Sequence, residues 1–364
     1  MTSTKKDTSL VDFVASMGGE RALRVEENLG DGYVRLRVAE AERRQAKHDI
    51  RCVEDAVIEL LRNSRDAGAK HIFVSTAREG TIRTTTILDD GSGIPPEMQE
   101  RVFEARVTSK LESVHTDRWG VHGRGMALYS VKENSVSARV VSSDVGKGCS
   151  IQVVTDATKL TERADQSTWP QVGEDDDGNR SCVRGPHNIV RTCCEFALEE
   201  YGTCEVYLGS PAEIVATICE RIPLSVNDSE LLFIDDLAEL PVLERPRASA
   251  DAKELMKVSQ SLGLEMSERT AHRVMSGQIR PLRSVASRLL RKPDSRRSGS
   301  REVDLMRDRR GLKLSKDDSE QFSRLLERDF DFIGERYYVS LASDPKIRVG
   351  KGRITVTFDL QDAD

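Results

Sequence analysis

Between residues 53 and 67 the apolar positions recur at helical spacing. Ala56, Val57, Leu60 and Leu61 form one stripe, as a core-facing helix requires. Glu59, Asn63 and Asp66 stand beside that stripe, four and three residues apart. At about 100° per residue this spacing gathers them on one flank. The pattern then changes: "HIFVSTA" and "RTTTILDD" read as strands, residues 95–122 are loop-rich, and "GMALYSVKENS" reads as a helix behind a glycine cluster. "ARVVSS" and "CSIQVVTD" read as further strands, and "GYVRLRVAEAE" upstream as a strand and connector.

Farther on, "DQSTWPQVGEDDDGNRSCVRGP" is an acidic, turn-rich break. Residues 187–222 read helix, strand, helix, with Ser210 placed as an N-cap. Residues 250–292 read as all-helical, "PDSRRSGSREVD" as a linker, and the closing "ERYYVSLASDPKIRVGKGRITVTFDL" alternates like a β-hairpin.

Composition narrows the class. The 364 residues are 38% hydrophobic and 32% charged, with no apolar run long enough for a membrane span. The first residues lack the apolar core of a signal peptide, so a cytoplasmic protein is expected. Seven cysteines in no even framework read as reduced thiols, without paired zinc-ligand spacing. The net charge is −6, yet residues 268–313 hold 14 Lys and Arg against 5 Asp and Glu, about +9. That asymmetry points to a local anionic partner, with DNA the first choice and a solvated basic surface the plainer alternative.

Two glycine clusters follow the first helix. The strand ending in "LDDGSGIPPE" places Asp89 ahead of Gly91 and Gly93. In "DRWGVHGRGMALYSV", Gly120, Gly123 and Gly125 precede an apolar helix, where backbone N–H groups and the dipole favour a phosphate. Together with the Glu59–Asn63–Asp66 flank, this order resembles the GHKL, or Bergerat-fold, ATPases over roughly residues 50–155. "ELLRNSRDAGAKHI" looks most like MutL mismatch-repair proteins, and "RVTSK" resembles the Thr-Ser-Lys of their lid. "GVHGRGMALYS" looks like the B subunit of type IIB topoisomerases; "RVFEA" and "GKGCSIQVV" are similar to histidine kinases.

The resemblance implies an α+β fold: a two-layer α/β sandwich, then a helical module and a small C-terminal β-containing region. It implies ATP and Mg2+ as cofactors. Asn63 would bind the Mg2+ and Glu59 would be the general base. Asp66 would support the site, and Asp89 would accept from the adenine amino group beside Gly91 and Gly93. Gly120, Gly123, Arg124 and Gly125 would hold the phosphates, with Lys110 a lid contact. Where the family places a threonine near adenine, this chain has Cys149 and Ser150. Ser150 can substitute if strand alternation turns it to the base. Glu59 favours hydrolysis over phosphoryl transfer to histidine. The His48–Asp49 pair looks like a phosphoacceptor box, but only 15 residues separate His48 from Asn63, too few for a separate dimerising hairpin.

The expected organisation is 1–156 ATP-binding domain, 157–186 acidic linker or insertion, 187–240 α/β extension, 241–293 helical module, 294–318 basic linker and 319–364 C-terminal α/β segment. In the module, "SERTAHRVMSGQIRP" resembles a helix-turn-helix, with Ser267 capping a helix over 268–276. Arg269, Arg273 and Arg280 are the candidate DNA contacts within a basic stretch spanning residues 250–313. Lys351 in "VGKGR" is a candidate for the lysine that a transducer domain sends to the γ-phosphate. The expected function is an ATPase switch in a DNA transaction, with an ATP-dependent homodimer and a separate catalytic subunit as implied partners. The alternatives are a histidine-kinase-like signalling kinase and a non-hydrolysing, ATP-sensing DNA-binding regulator.

Overall fold

The apolar stripe of residues 53–66 needs a surface to bury against, and a sheet supplies it. The computed structural model describes residues 25–38, 40–109, 115–117, 120–122, 125–174, 180–231, 233–290, 316–337, 339–350 and 353–362. Helix α1, Val53–Asp66, opens with Glu54 and Asp55 in its first turn, where carboxylates meet the positive dipole end. Five strands form the main sheet: β1 (His71–Glu79), β2 (Ile82–Asp89), β3 (Ser137–Ser143), β4 (Cys149–Asp156) and β5 (Glu205–Gly209). Their order is β5-β1-β2-β4-β3. β5 pairs parallel with β1, through Val206 opposite Ile72, and the other pairings are antiparallel.

Strand alternation divides the sheet into two faces. Ile72, Val74, Ile87, Cys149, Ile151 and Val153 bury against α1, against α2 (Ala127–Glu133) and against α3 (Ile189–Glu199). This is the expected α/β sandwich. The opposite face is covered as well. Phe73, Leu88 and Tyr207 share a second core with α4 (Pro211–Arg221), α5 (Ala252–Ser261) and α6 (Glu268–Met275). Phe73 stacks on Tyr207 with ring centroids 4.9 Å apart.

Local signals fix the helix starts. Ser210 and Glu213 form a reciprocal capping box at α4. The Ser267 side chain caps α6 by accepting from the Thr270 amide, and α6 ends one residue earlier than the sequence suggests. Residues 157–188 carry a hairpin, Gln171–Glu174 with Arg180–Arg184, and Glu162 accepts from buried Arg83 over 2.5 Å. Helix α7, Val285–Leu290, returns onto α3 and β5, and its Arg288 guanidinium lies 3.6 Å from the Trp169 ring centroid. Upstream, strands Val25–Gly30 and Tyr33–Leu36 form a hairpin, and a helix spans Glu40–Asp49.

The chain divides into two compact units, residues 1–291 and 292–364. In the second, helix α8, Lys316–Tyr337, accompanies two antiparallel pairs: Val339–Leu341 with Leu360–Asp362, and Lys346–Gly350 with Arg353–Thr357. Phe330 stacks on Phe358 at 5.1 Å. Among the described residues, no helix is long and apolar enough to cross a membrane.

Candidate nucleotide site

The flank of α1 and the C-terminal end of β2 meet on the first face of the sheet. Asp89 is the last residue of β2 and is 5% exposed. Its carboxylate accepts from the Ser64 hydroxyl of α1 at 2.7 Å and from the Gly91 amide at 2.9 Å. A carboxylate has about four lone-pair sites. These two donors fix its orientation.

The backbone beyond Asp89 leaves no room for side chains. A Cβ at Gly91 would lie 2.8 Å from the Ala67 Cβ. At Gly93, with φ +71°, it would lie 1.9 Å from the Asp144 carbonyl oxygen. Gly148, with φ +80°, backs onto the Asp89 carbonyl. Cys149 stands opposite Asp89 in register. Burial pushes its thiol pKa up, and the Asp89 charge adds to that.

Asn63 sits one turn before the end of α1. Among the described residues its buried Nδ2 has no hydrogen-bond partner, a costly state for an amide unless it serves a ligand. The same amide carries an oxygen, the ligand type of a hard cation. Glu59, one turn earlier, accepts from Arg62 Nη1 at 2.7 Å. Asp66 pairs with Arg65 at 2.9 Å, and Arg65 reaches Glu200, the residue that caps the end of α3, at 3.0 Å. Burial raises the pKa of Asp49, and the Glu59 charge raises it further. Gly125, with φ +67°, lies against the Arg106–Val107 backbone, and the Arg106 amide donates to its carbonyl at 2.8 Å. It leads into α2, which packs on α1.

Residues 50–175 match the family model described as histidine kinase-, DNA gyrase B-, and HSP90-like ATPase. Over this segment the chain is similar to the GHKL ATPases. The chain also matches curated mismatch-repair proteins. One stretch is 39% identical over 98 residues to the DNA mismatch repair protein MutL of Chelativorans sp. (strain BNC1), covering 27% of this chain and 16% of that protein. Another is 40% identical over 81 residues to the MutL of Thermus thermophilus, covering 22% and 14%. The chain therefore spans about a sixth or less of the length of these relatives. Among solved structures, the mycobacterial sensor histidine kinase MprB is 18% identical, with a TM-score of 0.20, over 34% of this chain and 75% of that one. Full-length ShkA in complex with AMPPNP is 15% identical, with a TM-score of 0.22, over 63% and 49%.

Glu59, Asn63 and Asp66 lie on α1, and the contacts of Ser64 with Asp89 and of Ala67 with Gly91 join that helix to the end of β2 and the loop after it. Gly120 lies in a short strand, Gly120–His122, paired with His115–Asp117. Lys110, Gly123 and Arg124 lie outside the described residues, as does Lys351. Ser150 is turned away. It is completely buried on the second face of the sheet, where its hydroxyl donates to the Leu262 carbonyl at 2.8 Å. Strand parity is the reason, since Cys149 takes the face that carries Asp89. Sequence reasoning missed Ser64 and Arg62 as partners of Asp89 and Glu59. Arg62 was legible from its i+3 spacing; Ser64 had only its place beside Asn63 as a signal.

Arg269, Arg273 and Arg280 are all exposed, while Ala271 and Val274 of α6 face the second core. Among the described residues none of these three arginines has an ion-pair partner. His272, between two of them, lies 4.0 Å from Glu268.

Proposed function

We propose that the GHKL segment binds and hydrolyses ATP with Mg2+, and that the nucleotide state switches the conformation or dimerisation of a protein acting on DNA, in the manner of MutL or a type IIB topoisomerase B subunit. The observation that supports this reading is the bond between the Ser64 hydroxyl and the buried Asp89 carboxylate, which ties the helix of Glu59 and Asn63 to the end of β2. Asn63 would hold the Mg2+, which when bound neutralises phosphate charge. Asp89 takes a hydrogen bond from the adenine amino group, kept in position by Ser64 and Gly91. Glu59 accepts the proton of the attacking water. Gly91 and Gly93 give the base its space, and the Gly120–Gly125 segment with Lys110 supplies the phosphate contacts. Asp66 braces the end of α1 through Arg65 and Glu200.

The outward arginines of α6 and the turn after it suit a phosphate backbone. An ATP-dependent second copy and a separate catalytic subunit are the protein partners such a switch would take. A second reading, an ATP-sensing regulator without hydrolysis, draws on Glu59 being held by Arg62 in the structure.

Phosphate release with and without DNA separates the two readings. In the hydrolytic reading, Glu59→Ala keeps ATP affinity near that of the unsubstituted chain while turnover falls by about 10²-fold or more. Unchanged turnover in that variant removes Glu59 from the chemistry. Label retained on the protein from γ-labelled ATP would instead indicate a kinase.

A further inference from the structure

Arg62 is 2% exposed and is among the largest fully buried side chains, although it lies on the helix that carries Glu59 and Asn63. A guanidinium is a permanent charge with a rigid fork of donors, and burying one is costly unless it is closely paired. Its Nη1 donates to Glu59 Oε1 at 2.7 Å, and the Glu59 side chain is 19% exposed. The pair spans one helical turn, so both ends are fixed to the same rigid element.

We propose that Arg62 is the positioning residue of the hydrolytic base. It holds one oxygen of Glu59 and so fixes the direction in which the carboxylate faces the attacking water. A desolvated guanidinium does not swing out to solvent during a cycle, so the bridge persists through turnover. In the step it serves, the water oxygen bonds to the γ-phosphorus and the bond from that phosphorus to the β–γ bridging oxygen breaks. The electron pair leaves with ADP, and the water proton passes to Glu59 and then to solvent. This inference rests on the reading of Glu59 as base. Arg62 touches Glu59 and acts through it.

The test is a kinetic cycle on the full chain with Arg62→Lys, Arg62→Met, Glu59→Gln and the two doubles. Calorimetric ATP binding and thermal melting accompany each variant. Arg62→Met should lower kcat about tenfold or more while KM for ATP stays within about twofold. Arg62→Lys, which keeps the charge but loses the fork, should recover part of that loss. In the Glu59→Gln background, either Arg62 change should add little, because the group it positions is already gone. Full kcat in folded Arg62→Met overturns the proposal, and so does an equal loss in the presence and absence of Glu59. Should Arg62→Met not fold, the lysine cycle decides by the same criterion of non-additivity. Turnover in Glu59→Gln equal to that of the unsubstituted chain removes the base assignment itself, a result distinct from additive losses.

Discussion

The Ser150 hydroxyl reaches out of the five-stranded sheet and donates to the Leu262 carbonyl at 2.8 Å. Two neighbours reinforce it: the Thr86 hydroxyl donates to the Gly263 carbonyl at 2.9 Å, and Gln152 Nε2 donates to the same oxygen at 3.2 Å. All three side chains are buried. The turn between α5 and α6 is thus attached to β2 and β4, whose ends carry Asp89 and Cys149. Gly263 permits this approach, since at φ +74° its backbone is left-handed and a Cβ would lie 3.1 Å from Gln152 Nε2.

Ser150→Ala should destabilise the fold by about 1–3 kcal/mol, because it leaves the buried Leu262 carbonyl short of a donor. ATP affinity should be unchanged. Denaturant melts and calorimetry measure the two quantities. A loss of nucleotide binding without a loss of stability would return Ser150 to the adenine site.

Asp89→Asn should abolish ATP binding in a protein that still folds. The amide would present a donor where the adenine amino group needs an acceptor, and Ser64 and Gly91 already supply donors to the other positions. Normal ATP affinity by calorimetry would refute the adenine contact.

His71 Nδ1 and Asp90 Oδ2 lie 2.7 Å apart at the loop end of the sheet. The hydrogen bond with Asp90 raises the His71 pKa despite burial. For Asp90, burial opposes ionisation, but hydrogen bonds from the His71 ring and from the His71 and Lys70 amides outweigh it and lower the pKa. The raised imidazole contributes stability that is complete below its unfolded value of about 6.5 and is lost as pH rises through the folded value. The lowered carboxylate contributes above about 3.9 and is lost as pH falls. The stability gap between the unsubstituted chain and His71→Ala, read from urea midpoints, should be widest near pH 5–6 and should narrow toward pH 8–9.

DNA affinity should fall log-linearly with salt, with a slope of about −0.9 per phosphate neutralised. Arg273→Ala together with Arg280→Ala should shallow the slope by roughly one unit per lost contact and leave ATP binding intact. Mobility-shift titrations across salt check this. No binding at low salt, with or without ATP, would assign the α6 surface a structural or protein-binding role.

Much of this fold was legible in the chain. The stripe of α1, the alternation in β1 and β2, and the caps at Ser210 and Ser267 are local patterns, and local physics decides them. The parallel seating of Glu205–Gly209 beside His71–Glu79 is not local, because nothing in either strand names its neighbour. The same holds for Thr86, Ser150 and Gln152. Polar residues alternating with apolar ones read as a solvated face, yet here they meet the carbonyls of a turn more than a hundred residues away. Of the candidate site, the shared flank of Glu59 and Asn63 and the strand-end place of Asp89 could be read from spacing, whereas the turning of Ser150 depended on which parity of β4 the second core claimed.

The contact of Arg288 with Trp169 offers an optical handle. The sequence holds two tryptophans, Trp119 and Trp169. With Trp119 replaced by phenylalanine, indole emission would come from Trp169 alone, beneath a guanidinium 3.6 Å from its ring centroid. The colour and yield of that emission would then report whether α7, which follows Arg280 and Arg283 in the chain, stays seated as nucleotide and nucleic acid arrive. Each ligand could be followed in real time without an attached dye.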